Sequence, residues 1–105
     1  MPKTVTVCEL ADLPPGQGKI IEAEGLEIGL FNCGGEIYAI EDRCSHDDGP
    51  LAEGEHDPER GVVICPRHGS EFDICSGRPL SLPAYAPVET FPVVVEQGVV
   101  KVDVR

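Results

Sequence analysis

"CSH" at residues 44–46 and "CPRHGS" at residues 65–70 each set a cysteine two or three positions before a histidine, and eighteen residues lie between His46 and Cys65. Immediately before the second stretch, Val62-Val63-Ile64 is a short β-branched run that delivers Cys65 as a strand ends, and residues 71–74 can return as its partner. Upstream, residues 42–61 are polar and rich in glycine and proline. That is long for a connection in a small domain, and such loops usually carry function.

Further out, the pattern is strand after strand. Residues 4–10 alternate and are β-branched, the Leu13-Pro14-Pro15-Gly16 run breaks them, and residues 18–23 and 26–33 read as two more strands. Gly34-Gly35 supplies the positive φ angles of a tight hairpin, and residues 36–40 return. After the proline-rich 79–87, residues 89–96 read as one strand, Gln97-Gly98 as its turn and 99–104 as the last. No helical stripe, internal repeat or linker stands out. The expectation is one all-β domain over residues 1–105, with a loop-rich insert at about 42–80.

Composition sets the outer limits. The 105 residues make one domain with a single modest, aliphatic core, since aromatics are 5% and tryptophan is absent. Nineteen acids against eight bases give a formal charge of -11, which repels nucleic acid and anionic lipid and suits a partner with a basic face. No basic-then-apolar leader and no apolar run near the ~20 residues of a membrane span is seen, so a cytoplasmic protein is expected. Five cysteines are an odd number, so a disulfide framework does not account for all of them, and metal binding is the reading to test.

Thiolate and imidazole both bind zinc and iron, so ligand type leaves the metal open. Zinc fingers usually group their cysteines together and their histidines together. Here each half offers one of each. That suits a binuclear cluster with chemically unlike irons, Cys44 and Cys65 on one and His46 and His68 on the other.

These residues resemble the two halves of the Rieske [2Fe–2S] signature. Phe72-Asp73 and Gly77 follow the second half as they often do in that family, and the flanking strands suit its domain over nearly the whole chain. The resemblance implies an antiparallel β-sandwich with a small cluster-binding subdomain. It also implies one [2Fe–2S] cluster per chain, held by Cys44, His46, Cys65 and His68, and an electron carrier that catalyses no reaction on a small substrate. High-potential members carry a disulfide beside the cluster; Gly49 and Arg67 stand at those positions, so it cannot form. In this the chain is similar to the soluble ferredoxins of bacterial ring-hydroxylating dioxygenases. That implies a flavoprotein reductase as donor, a terminal oxygenase as acceptor and a monomer. A Rieske-like small subunit of an assimilatory nitrite reductase and a structural Cys2His2 zinc domain are the alternatives.

The resemblance also matches Ser70 to a serine whose hydroxyl donates to a cluster sulfide, whereas Phe72 replaces a donating tyrosine. One donor fewer implies a potential in the lower part of the Rieske range. Arg43 and Arg67 would favour the added electron, and Asp47 and Asp48 would oppose it. Among the rest, His56 reads as a solvated loop residue between acids. Cys8, Cys33 and Cys75 read as buried small hydrophobes, Gly49 and Gly69 as close-approach glycines, and residues 83–87 as a cover over the cluster.

Overall fold

The four-stranded sheet at the centre of the molecule is covered on both faces, and the sequence of its longest strand shows why. In this computed structural model, which describes residues 4–43, 51, 54–66, 69–82 and 86–104, strand β3 runs Leu26–Cys33, with Ile28 through Asn32 all buried. An unbroken buried run, rather than alternation, is the mark of a strand packed on both sides. Ile28 and Leu30 face one apolar cluster and Phe31 faces another.

The partners of β3 are β2 (Gly18–Ala23) and β4 (Glu36–Glu41), both antiparallel, with β8 (Thr90–Phe91) on the outer edge of β4. Cys33 pairs with Glu36 across the expected two-residue turn, where Gly34 and Gly35 take φ of 68° and 102°. Against one face lies a three-stranded sheet of β1 (Thr4–Glu9), β10 (Val99–Asp103) and β9 (Val93–Glu96), in the order β1-β10-β9. Leu13, Ala23, Ile28, Leu30, Ala39, Val102 and Val104 form the core between these two sheets. One turn of 3-10 helix, Leu10–Asp12, follows β1.

The third sheet, β5 (Glu55–Asp57), β6 (Val62–Ile64) and β7 (Glu71–Asp73), is antiparallel in chain order and falls within residues 42–80. Its apolar contacts with the other face of the central sheet join Phe31 and Ile40 to Leu51, Val63, Cys65, Phe72, Ile74 and Val88. Burying a side chain the size of Phe72 contributes roughly 2–3 kcal/mol, and that ring is wholly buried. All the sheets pair antiparallel, and the all-β sandwich expected from the sequence is the fold observed.

Two readings need correction. Residues 89–96 do not form one strand: Pro92 divides them into β8 and β9, which belong to different sheets. Proline has no N–H to give a ladder, while its carbonyl accepts from Asp103 N–H at 2.9 Å and helps the chain cross between layers. The loop expected over 42–61 contains a strand, β5, although Glu55, His56 and Asp57 have neither alternation nor β-branching. It forms because β6 offers a free edge and the Asp57 carboxylate accepts from the N–H groups of Glu59 and Arg60, both at 3.2 Å, closing the hairpin.

Candidate functional site

Cys65 stands where β6 ends, and its side chain is buried, 1% exposed. Two backbone bonds hold the turn it opens: Cys65 N–H donates to Ser70 O at 2.8 Å, and Gly69 N–H donates to Cys65 O at 3.0 Å. Gly69 has φ +73°, with no described residue within 4 Å of where a Cβ would lie. Its glycine serves the left-handed turn. Ser70 closes the turn and is fully buried, 0% exposed, while Cys65 shares an apolar cluster with Leu51, Val63, Phe72 and Ile74.

A close approach that the sequence did not single out lies at Gly54. A Cβ on Gly54 would overlap the Ile64 carbonyl oxygen and lie 3.1 Å from Pro66 Cδ. Those two residues bracket Cys65, so the start of β5 is pressed directly against the backbone that presents the thiol.

At the other half, the chain leaves β4 through Asp42 and Arg43. Arg43 N–H donates to Glu41 O at 2.9 Å, and its guanidinium lies 3.4 Å from the Glu41 carboxylate. Cys44, His46 and His68 lie outside the described residues, as do Gly49, Arg67, Asp47 and Asp48. Residues 83–85 of the expected cover do too. Among the described residues, no three His, Cys, Asp or Glu side chains converge as a metal group, and three of the four expected ligands are not among them.

What is described fits one side of an iron–sulfur site. A cysteine is held at a rigid turn, with an apolar shell behind it and a buried hydroxyl five residues on. Such a shell limits solvent access, one of the protein's levers on a cluster's potential.

His56 and Cys75 differ from their sequence reading, whereas Cys8 and Cys33 are partly buried and pack against the two apolar clusters. His56 is half-buried on β5, its ring edge-on to Phe31 at 4.7 Å and its Nε2 3.6 Å from Cys33 Sγ. Burial lowers its pKa, against the smaller pull of Asp57, so it is not a solvated loop residue. Cys33 is half-buried, and burial, then Asp73 and Cys75, raises its pKa. Cys75 is exposed, not buried, and opens on a cleft of about 440 Å³ beside Tyr38 and Phe91. Among the described residues, Cys8, Cys33, Cys65 and Cys75 form no disulfide.

Known proteins are similar to this chain in sequence and fold. The ferredoxin subunit of 3-phenylpropionate/cinnamic acid dioxygenase from Escherichia coli (strain K12) is 41% identical over 99 residues, 94% of this chain and 92% of that one. The solved ferredoxin of carbazole 1,9a-dioxygenase from Nocardioides aromaticivorans IC177 superposes with a TM-score of 0.91 at 33% identity, over 95% of this chain and 96% of that one. A chain in the complex of reduced oxygenase and oxidized ferredoxin of carbazole 1,9a-dioxygenase gives 0.88 at 35% identity, over 95% and 92%. Residues 3–92 match the Rieske [2Fe-2S] domain family. With the buried Cys65 turn set on a two-faced β-sandwich, the chain belongs to that family.

Proposed function

We propose that the chain is a mobile one-electron carrier. Cys44, His46, Cys65 and His68 would hold one [2Fe–2S] cluster, which supplies a one-electron redox centre when bound. The chain takes its electron from a flavoprotein reductase and passes it to a terminal oxygenase, without transforming a substrate itself. The observation that carries this reading is the buried Cys65 thiol at a backbone-locked turn, in a chain of the Rieske family. Relatives at 41% and 33% identity are dioxygenase ferredoxins, which supports the oxygenase branch over a nitrite reductase subunit. The formal charge of -11 supports a carrier that meets partners through basic faces.

The test is reconstitution with a flavoprotein reductase and a terminal oxygenase of a ring-hydroxylating system. Oxygenase turnover should depend on the chain. The transfer rate should fall as salt rises, by roughly tenfold or more between low and high ionic strength, because steering is screened over about 10 Å at 0.1 M salt. A loaded chain that the reductase reduces and the oxygenase never reoxidises would contradict the proposal. Rates that rise throughout the salt series would show that the acids oppose docking.

A further inference from the structure

Asp42 is an acid in a buried position, 8% exposed, at the point where the chain leaves the central sheet. Its carboxylate accepts from Leu51 N–H at 2.9 Å, a buried bond across nine positions of sequence. Its own N–H donates to Glu27 O at 2.9 Å, and Glu41 N–H donates to Glu89 O at 2.8 Å, so the carboxylate projects from a fixed stem. Leu51, at the other end of the bond, is fully buried in the apolar cluster that also contains Cys65. Residues 42 and 51 are thereby tied together, and the tie rests on the same packed surface as the second ligand turn. Between those two residues lie Cys44 and His46.

We propose that Asp42 is a positioning residue for the first ligand pair: its carboxylate closes the base of the 43–50 segment onto the core that presents Cys65. The inference rests on the reading that Cys44, His46, Cys65 and His68 hold the cluster. The physical reason is twofold. Removing the acceptor leaves the buried Leu51 N–H without this partner, a strongly unfavourable state. With the base untied, the two ends of the segment separate more often, and the effective concentration of Cys44 and His46 at the cluster falls. The cluster would then be lost more easily while the sandwich, whose second core lies on the far face of the central sheet, stays folded.

The test uses the cluster-loaded full chain with Asp42→Ala and Asp42→Asn. Iron release to a chelator should be on the order of tenfold faster in the alanine variant. The EPR signal of its reduced form should be broadened or shifted by looser ligand geometry, while circular dichroism shows unchanged sheets. Asparagine keeps an oxygen that can accept from Leu51 N–H, and should return both readouts close to those of the unmodified chain.

Two results would overturn the role: an alanine variant with unchanged release and an unchanged spectrum, or an asparagine variant as defective as alanine. Should Asp42→Ala fail to fold, amide exchange at Leu51 in the unmodified loaded chain decides. Protection like that of sheet amides supports the tie, and exchange at an unprotected rate removes it. If the unmodified chain binds no iron and sulfide, the ligand reading itself fails and this role fails with it. If the unmodified chain loads stably and the variants behave alike, only the role of Asp42 fails.

Discussion

A chain carrying Cys65→Ser is expected to keep its sheets and to hold no [2Fe–2S] cluster. The turn from residue 65 to 70 is closed by backbone bonds, Cys65 N–H to Ser70 O and Gly69 N–H to Cys65 O, neither of which uses the thiol. Its conformation should therefore survive the change. The hydroxyl enters an apolar cluster of Leu51, Val63, Phe72 and Ile74, which costs on the order of 1–3 kcal/mol for a buried hydroxyl without a good partner. A domain of ordinary stability, about 5–15 kcal/mol, withstands that. Serine is a far weaker ligand than thiolate for an iron–sulfur cluster, so iron and acid-labile sulfide should drop to background. Cys75→Ser is the control: that thiol is exposed, and its replacement should leave the cluster in place. Full iron and sulfide in Cys65→Ser would mean that another thiol is the ligand.

The largest loss of stability is expected from Gly54→Ala. No left-handed backbone conformation is involved; the obstacle is space. The new Cβ would meet the Ile64 carbonyl oxygen, with the Ile64 carbonyl carbon at 2.9 Å and Pro66 Cδ at 3.1 Å. These are backbone and ring atoms, which cannot rotate away as a flexible side chain would. Either β5 must lift from β6 or the stem of Cys65 must move. Overpacking of this kind costs roughly 3 kcal/mol or somewhat more, a drop in Tm on the order of 10–20 °C for a domain of this size. Cluster content should fall with it, because the strain falls on both neighbours of Cys65. A thermal melt within a few degrees of the unmodified chain, with the cluster intact, would show that β5 has slack there.

The outer frame of this molecule was legible because it depends on local chemistry. The alternating β-branched runs at 4–9 and 99–103 and the apolar runs at 18–23 and 26–33 are strands, and Gly34-Gly35 makes the tight turn that two adjacent positive-φ residues allow. The paired Cys-His motif is residue types at a fixed spacing, and the resemblance it carried led to the family that the chain matches over residues 3–92; of its four residues only Cys65 is among the described ones.

What escaped depends on which parts of the chain meet in space. Strand β5 is three polar residues, Glu55, His56 and Asp57, recruited by the edge of β6. Packing on Phe31 and Cys33 then turns His56 inward, which no run of neighbouring acids discloses. Gly54 looks like any loop glycine until Ile64 is set against it. Asp42 looks like one more of nineteen acids until its carboxylate is found under Leu51. Cys75 was expected to be buried because it follows a strand, but β7 ends at Asp73 and the thiol faces outward.

The central claim is that this chain holds a two-iron cluster through two cysteines and two histidines. The most direct test is the EPR spectrum of the dithionite-reduced protein after anaerobic purification, with iron and acid-labile sulfide measured on the same sample. The account predicts a red-brown protein with about two irons and two sulfides per chain and a reduced-state spectrum whose average g lies below 2, as expected where two imidazoles replace two thiolates on one iron. A colourless protein with one zinc per chain, no sulfide and no EPR signal on reduction would contradict it.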